Sequence, residues 1–123
     1  MKKIFLFSSD KKFVSDVYIK FKNFKFYDDV INLLTSTLLN KPNIIILDTK
    51  DLPFMNEEQT IKTLNQISPF ARIILITRDY GIEDIKRLRK NNNIFFTLNE
   101  PEELFDFFKI FEIEKEGVEY ELN

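Results

Sequence analysis

The stretch Pro42-Asn43-Ile44-Ile45-Ile46-Leu47-Asp48 restricts this chain more than any other. It is an unbroken aliphatic run, rich in β-branched side chains, that stops on a carboxylate. A strand with one face in water alternates apolar and polar residues; this run does not, so it predicts a strand covered on both faces, the centre of a parallel sheet. In open α/β sheets, ligands and chemistry collect beyond the carboxyl ends of such strands. Asp48 is therefore a candidate site residue. The structural alternative is that it ends a strand and caps a turn.

The rest of the chain repeats one unit. Ile4-Phe5-Leu6-Phe7 predicts a first strand, followed by Ser8-Ser9-Asp10. Asp10 suits a helix N-cap, because Phe13, Val14, Val17, Tyr18 and Phe21 then recur at helical spacing. Phe24-Lys25-Phe26-Tyr27 predicts an edge strand, and Asp28-Asp29 caps a helix that ends before Pro42. After the central strand and the loop 49–55, Asn56 and Gln59 resemble a capping box for a helix carrying Ile61, Leu64 and Ile67. Arg72 to Thr77 predicts a fourth strand, residues 80–90 a fourth helix, Ile94 to Thr97 a fifth strand, and Pro101 the entry to a fifth helix running to Phe111.

Strand then helix, five times over with short loops, predicts an α/β fold: a three-layer, doubly wound, flavodoxin-like domain. Its five-stranded parallel sheet would have the order 2-1-3-4-5. Residues 1–111 form the domain. Residues 112–123 form an acidic tail, read as a frayed end, a short extra strand (Val118, Tyr120 and Leu122 alternate) or a linker.

Composition removes whole classes of function. The chain of 123 residues has no Cys and no His, so disulfides, thiolate zinc sites and imidazole or thiol catalysis are absent. Gly81 and Gly117 are its only glycines, which leaves no glycine-rich phosphate loop at any strand end and disfavours a flavodoxin-like nucleotide or flavin binder. A net charge of −2, with basic residues expected on the fourth helix and no basic face beyond it, argues against nucleic acid or an anionic membrane as partner. No apolar run approaches a membrane span or a signal peptide, and the cytoplasm is the expected location.

With Asp48 at the end of the third strand, Pro53 shortly after it, Thr77 ending the fourth and Pro101-Glu102-Glu103-Leu104 opening the last helix, the chain resembles response-regulator (CheY-like) receiver domains over residues 2 to 111. The resemblance implies that Asp48 is the phosphoacceptor position and Thr77 the switch hydroxyl. It also implies an Mg²⁺ held by an acidic pair at the end of strand one and a lysine at the end of strand five. Those positions fall on Ser8, Ser9 and Thr97, and no Lys or Arg lies between Lys90 and Lys109 to substitute. Mg²⁺ dehydrates reluctantly and prefers anionic oxygens, so neutral hydroxyls are poor replacements.

The expectation is a degenerate, or pseudo-, receiver. It would be a non-enzymatic, phosphorylation-independent protein-interaction module of two-component signal transduction, without a cofactor. The family's partner face implies Ile82, Arg87, Arg89, Lys90, Phe105 and Ile110 as contact residues, with a homodimer through the fourth helix, fifth strand and fifth helix as one form. The alternative is a working phosphorelay receiver, phosphorylated on Asp48 by a histidine kinase, with Mg²⁺ on Asp10, Asp48 and Asp51. A solvent-facing, unpaired Asp48 would tolerate replacement by Asn at a cost of about 1 kcal/mol or less.

Overall fold

A computed structural model describes residues 3–50 and 57–111 of the chain. Ten elements alternate as the sequence predicts: β1 (Ile4–Phe7), α1 (Lys11–Lys20), β2 (Phe24–Tyr27), α2 (Val30–Asn40), β3 (Ile44–Asp48), α3 (Glu57–Ile67), β4 (Arg72–Ile76), α4 (Ile82–Asn91), β5 (Phe96–Leu98) and α5 (Glu103–Phe111). The strands form one sheet in the order β2-β1-β3-β4-β5, and every pairing is parallel. No described helix is long and apolar enough to cross a membrane.

The period of two along each strand sorts the core into two layers. Ile4, Leu6, Ile44, Ile46, Ile74, Ile76 and Leu98 face one side, where they pack on Phe13, Val17 and Phe21 of α1 and its end, and on Leu104, Phe107 and Phe108 of α5. Phe5, Phe7, Ile45, Leu47, Ile73 and Leu75 face the other, against Val30 and Leu33 of α2, Ile61 and Leu64 of α3, and Leu88 of α4. Burial on both faces is what the missing polar alternation demanded, and β3 is buried along its whole length. Each fully buried aliphatic side chain contributes about 1.5–3 kcal/mol.

Local chemistry fixes the helix starts. Asp10 caps α1 by accepting from Phe13 N at 3.1 Å, and Asp29 caps α2 by accepting from Ile31 N at 2.7 Å. α2 stops where Lys41 turns left-handed (φ 48°) just before Pro42. The proposed capping box at Asn56 lies outside the described residues.

Two expectations need correction. The fifth strand is Phe96–Leu98 rather than Ile94 to Thr97. Its register runs from Ile74↔Phe96 to Ile76↔Leu98, and Thr77 N donates to Leu98 O at 2.7 Å, so pairing extends one residue further along the chain. Ile94 instead drops into the core layer beneath α2, α3 and α4.

The second correction concerns charge. A parallel sheet with antiparallel helices gathers the helix carboxyl ends and strand amino ends at one end of the molecule. The segments that meet there (residues 19–25, 38–44, 65–73 and 88–95, with Lys3 and Lys109) contain Lys and Arg but no Asp or Glu. The carboxylates collect at the opposite end: Asp10, Asp28, Asp29, Asp48, Glu57, Asp79 and Glu100 all lie beside strand carboxyl ends or helix starts. The basic surface thus extends well beyond α4, which short-range sequence reading does not reveal.

Candidate functional site

At the carboxyl end of the sheet, β1 and β3 are neighbours and β3 pairs with β4, so Ser8, Asp48 and the residues after Ile76 converge. Asp48 does not face solvent. Its side chain is 0% exposed. Ser8 Oγ donates to Oδ2 at 2.7 Å, and Lys50 N donates to Oδ1 at 3.2 Å. The dominant partner is Arg78: Nε donates to Oδ1 at 2.6 Å and Nη2 to Oδ2 at 2.7 Å. This is a bidentate fork, the geometry in which a guanidinium binds a carboxylate most strongly.

Arg78 was not among the residues that sequence reading singled out. The resemblance points to a cation at the end of the fifth strand, whereas this one enters from the end of the fourth. One signal was available: Thr77-Arg78 directly follows an apolar strand in register with the strand ending at Asp48. Arg78 takes φ 48°, a left-handed conformation that costs a non-glycine residue about 1–2 kcal/mol. Its N–H donates to Asn99 O at 2.8 Å, and Tyr80 N closes a turn on Thr77 O at 3.0 Å. The turn directs the side chain back over the sheet end rather than outward.

Asp10 joins the same cluster. It caps α1 with Oδ1 and accepts from Arg78 Nη2 with Oδ2 at 2.9 Å. The backbone bond from Phe13, with the Arg78 hydrogen bond second, holds its carboxyl below the usual carboxylate value. The bond to Asp48 in turn pushes the Arg78 guanidinium above its ordinary value. Ser8 completes the net: its hydroxyl, while donating to Asp48, accepts from Asp10 N at 3.1 Å. A serine at this place supplies a proton to the buried carboxylate, where an acid would add a second negative charge.

The remaining predicted positions are less engaged. Ser9 is exposed, although it has an interaction of its own. Thr77 is buried, and its hydroxyl donates to Leu98 O at 3.1 Å. Thr49 Oγ1 donates to Thr77 O at 3.3 Å, tying the ends of β3 and β4 together. Thr97 is half-buried within β5, opposite Leu75. Asp51 lies outside the described residues. Tyr80 packs against the sheet face that carries α2, α3 and α4, and burial, with Glu57 second, pushes its phenol above the usual value.

The described residues do not by themselves make an Mg²⁺ site. Among the described residues no group of three or more acidic side chains could hold a metal. The two carboxylates that converge, Asp10 and Asp48, already share one guanidinium. A divalent ion would have to displace Arg78 and would then find Ser8, a neutral ligand, in place of an acid.

At the positions that the family resemblance marks as a contact face, Ile82 and Ile110 are each 71% exposed, and Arg87, Arg89 and Lys90 are exposed as well. Arg87 is engaged with Asp84 at 3.1 Å and, more loosely, with Glu58 at 3.7 Å. Phe105 does not belong to this face. It packs on the α1 side, its ring stacked on Phe21 at 5.7 Å between centroids with Lys20 above it at 5.5 Å.

No protein-family model matches the chain, and no curated protein matches it. Solved structures do. A CheY-like response-regulator receiver domain from Methanospirillum hungatei superposes with a TM-score of 0.74 at 16% identity, covering 95% of this chain and 98% of that one. The chemotaxis protein CheY4 of Vibrio cholerae gives 0.71 at 18% identity over 89% and 97%. The receiver domain of NtrC4 from Aquifex aeolicus gives 0.67 at 15% over 94% and 98%. The chain therefore has the fold of response-regulator receiver domains, across nearly its whole described length. Within that fold, the strand-end carboxylate is closed by an arginine of the same chain.

Proposed function

We propose that this protein is a receiver-like protein-interaction module of two-component signalling that works without phosphorylation and is not itself an enzyme. The observation that carries this reading is the fork from Arg78 to Asp48. Phosphoryl transfer to a carboxylate requires an oxygen free to approach phosphorus in line, with cations placed to neutralise the gathering negative charge. Here both Asp48 oxygens are committed to donors, and the Arg78 guanidinium bonds to each of them. The guanidinium gives Asp48 permanently the charge compensation that a metal would otherwise give it. One conformation of the sheet end is thereby favoured without any modification.

The exposed residues Ile82 and Ile110, with the cations of α4, support a protein partner on the α4–β5–α5 side, a second copy of the chain included. Neither a cofactor nor a nucleic-acid partner is part of this reading, and a cytoplasmic location accords with it.

The test is a ¹⁵N–¹H spectrum of the protein titrated with millimolar Mg²⁺ and then beryllofluoride, a mimic of the aspartyl phosphoryl group. The wild-type protein is expected to show no shifts at Ser8, Asp48, Thr77 or Arg78. Saturable shifts at those residues that spread into α5 would overturn the reading and establish a working receiver.

A further inference from the structure

Among the described helices α2 alone carries no Asp, Glu, Lys or Arg between its first residue and its last. A helix on the outside of a domain normally sets charge on the side away from the core. α2 turns Val30, Leu33 and Thr37 to the core. Its outer side bears Ile31, Leu38 and Leu39, which are 65%, 55% and 73% exposed, with only uncharged polar residues beside them. The inner set builds the fold; the outer set contributes nothing to it while it faces water.

At about 3.6 residues per turn, Ile31 and Leu38 stand on one line of the helix, with half-buried Leu34 and exposed Thr35 on either side of that line between them. Apolar residues repeating every seven positions make the seam of a helix pair.

Charge selects the partner. A foreign helix with Lys or Glu on its matching face would bury those charges against a surface that has none to offer them. A second copy of α2 brings none. Charge appears only beyond the two ends and with opposite sign: Asp28 and Asp29 before the helix, Lys41 after it, all exposed. Asp29 is occupied by the cap, which leaves Asp28 as the charge facing outward. Around a two-fold axis crossing the seam midway between residues 34 and 35, the two helices run antiparallel. Ile31 then meets the partner's Leu38, Leu34 and Thr35 each meet their own counterparts beside the axis, and Asp28 comes level with the partner's Lys41. The helix dipoles oppose as well. A parallel pairing would set Asp28 beside Asp28 and Lys41 beside Lys41.

We infer that two copies of this chain associate through α2, antiparallel about that axis. α2 contacts β2, at the edge of the sheet opposite β5, so the α4–β5–α5 side of each copy stays open. The dimer thus presents two contact faces to a protein partner and raises avidity without any new contact there. One helix pair is small beside the roughly 800 Å² per partner of a standard interface, so the association is expected to be reversible and half complete near about 100 µM.

Sedimentation equilibrium of the full chain should show monomer and dimer exchanging around that concentration. Leu38→Glu buries a carboxylate in the seam and should weaken the dimer at least about tenfold. Leu38 is more than half exposed, so the ¹⁵N–¹H spectrum of this variant should stay dispersed. Asp28→Lys and Lys41→Asp should each weaken the dimer, and both together should restore it, because the exchanged charges face each other again. The chain has no cysteine, so Thr35→Cys places one thiol per copy beside the axis and should give a disulfide-linked dimer under mild oxidation. Ile82→Cys and Ile110→Cys should not.

A chain still monomeric at about 1 mM overturns the inference and leaves α2 to a helix of a different protein. A dimer that Leu38→Glu leaves intact, or that cross-links through Ile82→Cys or Ile110→Cys, overturns it too, by placing the second copy on the α4–β5–α5 side.

Discussion

Arg78 combines two costs, a left-handed backbone and a charge held mostly out of water, and keeps both because of what lies opposite it. Removing Asp48 takes away both bonds of the fork and leaves the half-sequestered guanidinium with Asp10 alone. Asp48→Ala is therefore expected to destabilise the protein by about 3–5 kcal/mol in urea denaturation, several times the ~1 kcal/mol appropriate to an unpaired surface aspartate. The double replacement Asp48→Leu with Arg78→Met should recover most of that loss, because both desolvation costs go with the pair. If the single change costs no more than an exposed substitution, the fork is not formed in solution.

Asp10 contributes differently. Its folded-state pKa lies below the unfolded value of 3.8, so its stabilisation is fully present above that value and is lost as pH falls through the lower, folded-state one. Stability measured against pH should thus fall on the acid side, and Asp10→Asn should flatten that fall.

At the scale of elements, the loop from β4 to α4 is where the architecture and the site meet. Gly81, the N-cap of α4, has φ −75° and supplies no side-chain cap. An added Cβ there would meet nothing closer than Asp84 Oδ2 at 3.8 Å. Gly81→Ser should therefore stabilise the protein by about 0.5–1 kcal/mol, seen as a rise in thermal midpoint, through a cap and a less flexible unfolded chain. One residue earlier, burial holds the Tyr80 phenol above its usual value. The unfolded chain then releases that proton first as pH rises, so stability should decline above about pH 10. An ultraviolet titration should show one tyrosine ionising only as the protein unfolds.

These elements were legible in the sequence because their signals are local. Ile44 to Leu47 without a polar residue required a sheet covered on both sides, and Asp10 and Asp29 announce the helices that they cap. The site was legible only in part. Asp48, Ser8 and Asp10 were each picked out by strand-end position, but the residue that binds them together stands 30 positions beyond Asp48. Its role depends on a backbone angle, and no spacing rule announces that Arg78 will turn left-handed and fold inward. Phe105 was misplaced for a related reason: its position on α5 suggested the outer face, while Phe21 at the end of α1 supplied a stacking surface that helical periodicity on α5 alone does not reveal.

For the whole molecule, the distribution of charge depends on topology more than on composition. A net charge of −2 conceals an acidic end and a basic end set apart by the length of a strand. At the acidic end, the segments around Ser8 and Asp10, Asp48 at the end of β3, and Arg78 after β4 are joined, even though β1 and β4 do not touch within the sheet. Strand ends joined in this way do not open one at a time. Releasing any of them breaks contacts held by the other two, so they form a single cooperative unit whose rare openings are all-or-none. The arginine that fastens this end comes from within the chain.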